Sequence, residues 1–276
     1  MTDNLPSNGV TANPWRRLRE FTDARIGLGR AGISLPTAKS LEFQLAHARA
    51  QDAVHLPLNV DDLRQQLAEL AGDVSPVVVH SRAEDRVTYL QRPDWGRRLD
   101  EASRERLRHA DDTPQAPFDL AIAIIDGLSS RAIQQNAMPF LRALLDTLIA
   151  DAQYDWRLAP LTIVEQGRVA IGDEIGELFN ARAVLVMIGE RPGLSSPDSL
   201  GLYLTWAPKV GLTDAYRNCI SNVRPAGLTY PEASRRLHYL LRESRQQQLS
   251  GVQLKDRTQD DVIDHQGDGI RNFLIS

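Results

Sequence analysis

The stretch ARAVLVMIGERPGL, residues 181–194, decides the fold, because a run of bulky apolar residues stops at a glycine, an acid, a base and a proline. A strand that is apolar on both faces is typical of a parallel sheet covered by helices on each side. Glu190 directly follows this predicted strand. The corner is therefore either an ordinary turn or part of a binding site, since ligands of α/β sheets bind where parallel strands end.

Other segments repeat this pattern and alternate with amphipathic helical periodicity. The predicted strands are 119–127, 158–167, 181–190, 199–208 and 218–224, and the predicted helices are 129–152, 169–180 and 231–249, the last ended by Gly251. Strands that alternate with helices predict an α/β fold. We expect a Rossmann-like, doubly wound, mainly parallel sheet over residues 118–255.

The chain before residue 118 has a different pattern. Residues 14–117 are predicted to form a mostly helical N-terminal region, with helices that begin near Pro14, Thr37 and Asn59, because these residue types suit helix starts. Two strand-like runs, 76–82 and 86–91, and a helical run, 93–110, follow in the same region. We expect a disordered N-terminus at 1–13, a linker at 111–117 and a polar tail at 256–276.

Composition excludes several classes of function. The 276 residues carry a net charge of −4 with acidic and basic residues interleaved, whereas nucleic-acid and anionic-membrane surfaces need unopposed basic patches. The apolar runs are far shorter than the roughly 20 residues that span a bilayer, and the first residues do not resemble a signal peptide. We therefore expect a cytoplasmic protein without nucleic-acid or membrane partners.

The residues that could carry chemistry are few. A single cysteine, Cys219, and six scattered histidines predict no metal site. Cys219 lacks a nearby histidine, which favours a packing role or a ligand contact over a catalytic thiol. His265 lies in the polar tail. GLGRAG, residues 27–32, matches a dinucleotide fingerprint but follows a predicted helix instead of a strand, so we expect a linker or a subunit contact.

Six longer motifs together carry a resemblance to a known family. They are TDARIGLGRAG (22–32), RPDWGRRL (92–99), DGLSSRAI (126–133), GRVAIGDEIGE (167–177), IGERPGL (188–194) and RNCISNVR (217–224). In this order they resemble the small (light) subunit of ethanolamine ammonia-lyase, an adenosylcobalamin-dependent enzyme. The resemblance spans about residues 14–255.

The resemblance implies a site and a partner. Family members hold adenosylcobalamin (coenzyme B12) against a large subunit, a TIM barrel that binds most of the ethanolamine substrate. The family's cofactor contacts fall on Val169, Glu190 and Cys219 of this chain. Asp126, Arg168 and Arg191 are further candidates because they occupy neighbouring positions.

The resemblance also implies the chemistry. A radical formed from the cofactor converts ethanolamine to acetaldehyde and ammonia, so we assign this chain no catalytic acid, base or nucleophile and no metal ligand. No Asp-x-His-x-x-Gly motif occurs in the sequence, in agreement with a cofactor that keeps its own base on cobalt.

Two alternatives and one departure remain. The alternative hypotheses are that the chain is a stand-alone Rossmann-like enzyme with a nucleotide cofactor, or that it is a non-catalytic assembly subunit. Family members of bacterial microcompartments often begin with an amphipathic helix, whereas the first 14 residues here carry no apolar stripe. This departure argues against encapsulation.

Overall fold

A computed structural model of the chain describes residues 9–71, 75–109 and 116–257. Within these ranges the strands are β1 (Val77–His80), β2 (Leu120–Ile125), β3 (Thr162–Glu165), β4 (Ala183–Gly189), β5 (Leu200–Trp206) and β6 (Arg217–Val223). The α-helices are α1 (Thr37–His55), α2 (Val60–Ala71), α3 (Arg86–Gln91), α4 (Glu101–Arg108), α5 (Ser130–Ile149), α6 (Ile171–Leu178) and α7 (Tyr230–Gln247). Short 3-10 helices lie at Pro14–Glu20, Trp95–Arg97, Asp214–Tyr216 and Gly251–Gln253.

All six strands belong to one sheet, in the order β1, β3, β2, β4, β5, β6. The first four pair in parallel, whereas β5 runs antiparallel to both β4 and β6. The predicted α/β fold with a mainly parallel sheet is therefore confirmed.

Both faces of the sheet are buried, as the apolar strands predict. Ile122 and Leu185 face the side on which α5 and α7 pack, and Ala123 and Val186 face the side covered by α6. The connection after β2 thus leaves on one side of the sheet and the connection after β3 on the other. Connections that diverge in this way open a crevice between the ends of the two strands.

One predicted strand is wrong, because residues 86–91 form helix α3. The Oδ1 atom of Asp85 accepts the N–H of Thr88 at 2.7 Å and so caps the helix, and Tyr89 is fully buried. The β-branched and aromatic residues of this segment favour a strand by propensity, but a local cap and burial of the ring decide the outcome.

Two helix boundaries also differ from the predicted ones. Helix α7 ends at Gln247, the next residue, Gln248, adopts a left-handed conformation with φ 55°, and Gly251 instead begins the following 3-10 helix. The segment predicted as a helix from Pro14 forms only a 3-10 helix, Pro14–Glu20, which Asn13 caps by accepting the N–H of Trp15 at 2.9 Å.

Strand β1 lies in the predicted N-terminal region, and it forms the edge of the sheet beside β3. The boundaries proposed at residues 13, 117 and 255 stay predictions. Residues 1–8, 72–74, 110–115 and 258–276, which include most of the predicted linker and tail and His265, lie outside the described residues. Within the described ranges, no helix combines the length and the apolar character that crossing a bilayer requires.

Candidate functional site

The crevice between the ends of β2 and β3 is closed by the side chain of Asp126. Its Oδ1 accepts the N–H groups of Gly127 at 2.7 Å and Gly167 at 3.1 Å, and its Oδ2 accepts that of Gln166 at 2.9 Å. Burial raises the pKa of Asp126 to about 6, although these N–H donors and the nearby Arg86 lower it. Asp126 is 2% exposed, so it joins the two corners and does not face a ligand.

The corner after β2 packs closely on the end of β4. A Cβ on Gly189 would overlap the carbonyl oxygen of Ser129, and a Cβ on Gly127 would overlap the carbonyl oxygen of Gly189. The N–H of Leu128 donates to that same Gly189 carbonyl at 2.9 Å. Only glycine permits this approach, which brings Leu128 to the residues that follow β4.

A pocket of about 400 Å³ opens beside this contact, on the face of the sheet that α6 covers. It is lined by Tyr89, Leu128, Arg168, Val169, Ile188, Gly189, Glu190, Arg191 and Tyr203. The structure thus brings together Val169 and Glu190, which the resemblance assigns to the cofactor, with the further candidates Arg168 and Arg191. Asp126 is not among the residues that line it.

The Glu190 carboxylate is held at one of its two oxygens. Oε2 accepts hydrogen bonds from the Ser199 hydroxyl and from the N–H of Asn222, the latter at 3.2 Å. Oε1 and Cγ lie against Gly201, each 3.0 Å from the position that a Cβ there would occupy. Among the described residues Oε1 has no hydrogen-bond partner, so it remains an acceptor for a ligand.

Cys219 adjoins the pocket without lining it. It is the register partner of Tyr203 across β5 and β6, so the two side chains lie next to each other on one face of the sheet. Cys219 is exposed at the surface, yet the protein around its thiol removes part of its water, which raises the pKa of the thiol. A neutral thiol of this kind suits contact with a ligand better than nucleophilic attack.

Arg168 enters the pocket from the corner after β3. Its Nη2 donates to the Tyr89 carbonyl at 3.0 Å, and its guanidinium lies 4.2 Å from the centre of the Tyr89 ring. The Tyr89 hydroxyl in turn donates to the Gly167 carbonyl at 3.2 Å. The Nε of Arg168 is buried and has no hydrogen-bond partner in the described part of the chain. The protein therefore satisfies the guanidinium of Arg168, which lines the pocket, only in part.

The loop after β4 carries Arg191 and is fixed from the N-terminal side of the chain. Nη2 of Arg25 donates to the Leu194 carbonyl at 3.3 Å, and Nη1 donates to the Ser195 hydroxyl at 3.5 Å. Arg191 itself is exposed and lines the pocket. The segment before α1 is thus in direct contact with the loop that borders the pocket.

Five pocket residues are not among the candidates from the sequence: Tyr89, Leu128, Ile188, Gly189 and Tyr203. Tyr89 was assigned to a strand, and the position of Tyr203 depends on the register of the antiparallel β5 and β6 pair, which no local pattern specifies. Leu128 was within the motif DGLSSRAI, so its place in that corner was the available signal.

The glycine motif at residues 27–32 lies between the first 3-10 helix and α1, where it follows no strand. Gly27, Gly29 and Gly32 all have positive φ angles, and a Cβ on Gly27 would lie 3.0 Å from the Arg16 backbone. These glycines permit turns of the chain, and they do not form a strand-to-helix corner for phosphate binding.

Comparison with known proteins agrees with the motifs. Residues 12–255 match the family described as Ethanolamine ammonia-lyase light chain (EutC). A protein from Pseudomonas aeruginosa (strain LESB58), named ethanolamine ammonia-lyase small subunit, is 52% identical over 276 residues, which cover 100% of this chain and 99% of the relative. A protein of the same name from Azotobacter vinelandii (strain DJ / ATCC BAA-1303) is 54% identical over 275 residues, which cover 100% of this chain and 99% of the relative. Another from Pseudomonas putida (strain W619) is 55% identical over 265 residues, which cover 95% of this chain and 96% of the relative. The chain therefore belongs to the ethanolamine ammonia-lyase light-chain family.

Proposed function

We propose that this chain is the small subunit of an adenosylcobalamin-dependent ethanolamine ammonia-lyase, and that its Rossmann-like, doubly wound sheet holds the cofactor against a TIM-barrel large subunit. The pocket carries the proposal, because it brings Val169 and Glu190 together at the carboxyl ends of the strands. Tyr203 also lines the pocket, and Cys219 is its register partner on β6. For the assembled enzyme we propose the lyase reaction that converts ethanolamine to acetaldehyde and ammonia.

The residues of the pocket fit such a cofactor. Val169 offers apolar contact to a large ring system, Oε1 of Glu190 accepts hydrogen bonds from amide groups, and the Arg168 guanidinium lines the same pocket as a donor. Pockets of about 300–1,000 Å³ enclose ligands of drug size, and adenosylcobalamin is larger. A pocket of about 400 Å³ therefore encloses one part of the cofactor, and we expect the partner subunit to cover the rest.

The division of labour follows from this fit. The bound cofactor would supply radical chemistry, which protein side chains do not provide. Glu190, Val169 and Cys219 bind and orient the cofactor. Because water would compete for Oε1 of Glu190, the apolar neighbours Leu128 and Ile188 also contribute by excluding it.

A surface for the partner lies on the N-terminal arm, which we define as residues 14–56. Phe21 is 84% exposed and Ile33 is fully exposed, and further large apolar residues of the arm are exposed as well, namely Trp15, Leu18, Leu41, Phe43 and Leu45. Exposed apolar groups in such number are typical of protein–protein contacts. We infer that the arm binds the large subunit, and the contact of Arg25 with Leu194 would place that subunit beside the pocket.

Reconstitution tests the proposal. The chain and its large subunit are purified separately, and acetaldehyde and ammonia are measured after addition of ethanolamine and adenosylcobalamin. We expect turnover only when both chains and the cofactor are present. Turnover by either chain alone contradicts the proposal. Binding of a nicotinamide or other nucleotide by the isolated chain, measured by equilibrium dialysis, would instead support the stand-alone enzyme.

A further inference from the structure

Two arginines that line the pocket have no acidic partner among the described residues. Arg168 and Arg191 form no salt bridge with any residue in the ranges 9–71, 75–109 and 116–257. Other arginines near this edge are matched with acids, since Arg86 lies 3.8 Å from Asp126 and Arg224 lies 3.4 Å from Asp198. The pocket lining thus carries two arginines and one carboxylate, Glu190, so an excess positive charge remains that an anionic ligand group would balance.

The acid in the pocket does not provide this balance. Oε2 of Glu190 is directed to the Ser199 hydroxyl and to the N–H of Asn222, and Oε1 lies against Gly201. No oxygen of Glu190 is within 4.0 Å of a guanidinium nitrogen of Arg168 or Arg191, because such a contact would be a salt bridge. Glu190 and the two arginines thus offer separate acceptor and donor positions to one ligand.

The orientation of the Arg168 side chain is fixed by its contacts with Tyr89. Its guanidinium is fixed against Tyr89 by a hydrogen bond to the Tyr89 carbonyl and by stacking on the ring, while its buried Nε–H is unsatisfied among the described residues. A guanidinium that is already oriented loses little conformational freedom when it binds an oxyanion. Arg191 differs in that it is exposed, so it can close over a bound group.

Resting on the proposed function, we propose that Arg168 and Arg191 bind the phosphodiester group in the nucleotide loop of cobalamin. This group is the anionic part of the cofactor's periphery, and charged hydrogen bonds from arginine to phosphate are stronger than those to neutral acceptors. As acceptors for arginine, the amide side chains of the corrin ring offer only neutral carbonyl oxygens. The two arginines therefore recognise the nucleotide loop, and Glu190 contacts an amide N–H or hydroxyl group.

A pair of ligands separates these two kinds of contact. Adenosylcobalamin carries the phosphodiester, and adenosylcobinamide keeps the corrin ring and its amides but lacks the nucleotide loop. Dissociation constants for both are measured by equilibrium dialysis with the two-subunit complex. We expect Arg168→Met and Arg191→Met to weaken adenosylcobalamin binding about 10- to 100-fold, as for loss of a charged hydrogen bond, and to leave adenosylcobinamide binding within about threefold. Arg97→Met is the control, since Arg97 is exposed and lines a different cavity.

The possible results distinguish this inference from the proposed function. If the wild-type complex binds neither ligand, the proposed function fails. If it binds adenosylcobalamin but either arginine variant weakens both ligands equally, or neither ligand, the phosphodiester assignment is overturned. Because Arg168 also packs on Tyr89, its variant is checked by thermal unfolding, and the exposed Arg191 gives an independent result if that variant is unstable. In wild type, added salt should weaken adenosylcobalamin binding more than adenosylcobinamide binding.

Discussion

Glu190 lies against Gly201 across the antiparallel pair of β4 and β5, so that a Cβ on Gly201 would be 3.0 Å from both Cγ and Oε1 of the glutamate. Real Cβ atoms tolerate such a distance only if the neighbour moves by a few tenths of an ångström. Gly201 therefore sets the position of the carboxylate at the pocket, although it is eleven residues further along the chain.

Substitution of this glycine should disturb the cofactor through Glu190. We expect Gly201→Ala to weaken adenosylcobalamin binding about threefold to tenfold, because Oε1 is displaced and part of one hydrogen bond is lost. The measurement is a double-mutant cycle with Glu190→Ala, in which the alanine at 201 no longer meets the carboxylate. If Gly201→Ala weakens binding equally in both backgrounds, Glu190 is not the residue through which it acts.

Glu190 itself should affect the cofactor more than the substrate. Glu190→Ala removes the acceptor Oε1 and leaves the Asn222 N–H without its partner, so the apparent KM for adenosylcobalamin should rise about tenfold while that for ethanolamine changes less than about twofold. Glu190→Gln keeps one oxygen acceptor and should be milder. Glu165→Ala, at the end of β3 and outside the pocket, is the matched control. A larger rise for ethanolamine would place Glu190 in a substrate role.

Asp126 should make the stability of the chain depend on pH. Burial raises its pKa to about 6 in the folded state, above the value of about 3.9 expected in the unfolded chain. Between these values the unfolded state binds fewer protons, so the free energy of unfolding should fall by about 1.4 kcal/mol for each pH unit of increase.

Urea unfolding of the isolated chain at pH 4 to 7 measures this dependence. In Asp126→Asn the contribution should be absent, so the wild type should lose stability relative to the variant as the pH rises. The variant is less stable overall because its side chain has one acceptor oxygen for three N–H donors. The opposite slope would mean that these N–H donors and Arg86 lower the pKa of Asp126 more than burial raises it.

Cys219 should report occupancy of the site. It is the single cysteine of the chain, and its raised pKa keeps the thiol protonated at neutral pH. Alkylation by iodoacetamide should therefore be slow at pH 7 and accelerate as the pH rises above 9. Mass spectrometry of this chain within the complex should show protection by adenosylcobalamin. Unchanged labelling with bound cofactor would place Cys219 outside the contact, and Cys219→Ser gives the background.

The N-terminal arm should matter for assembly and not for folding. Phe21→Ser and Ile33→Ser replace side chains that are exposed in the isolated chain, so its free energy of unfolding should change by less than about 0.5 kcal/mol. Affinity for the large subunit, measured by calorimetry, should fall for each. Ile149→Ser is the control, because Ile149 is 84% exposed like Phe21 but lies at the end of α5. Equal affinity of the arm variants and wild type would exclude the arm from the interface.

Much of the sheet could be predicted because its signals are local. The strands β2 and β4 are apolar at every position, which is characteristic of strands buried on both faces. The start of α5 was equally predictable, since the predicted helix begins at residue 129, and the Ser129 hydroxyl accepts the N–H of Ala132 at 3.2 Å. In these places propensity, periodicity and burial agree.

The pocket required information that is not local. Tyr89 reaches it because α3 packs its ring beneath Arg168, and Tyr203 reaches it because the register of β5 places it between Val186 and Cys219. The motifs alone located Val169 and Glu190 in the sequence, but their proximity depends on how the corners after β3 and β4 meet. No local pattern indicated that the Asp126 carboxylate would accept three backbone N–H groups.

The hydrogen bonds of Arg25 with Leu194 and Ser195 have a thermodynamic consequence. They connect the N-terminal arm, which we propose as the binding surface for the large subunit, to the loop that carries Arg191. A protein that binds the arm therefore also restrains one wall of the cofactor pocket. Coupling between two binding events is reciprocal. If binding of the large subunit raises the affinity of this chain for adenosylcobalamin through this connection, the cofactor must raise its affinity for the large subunit by the same factor.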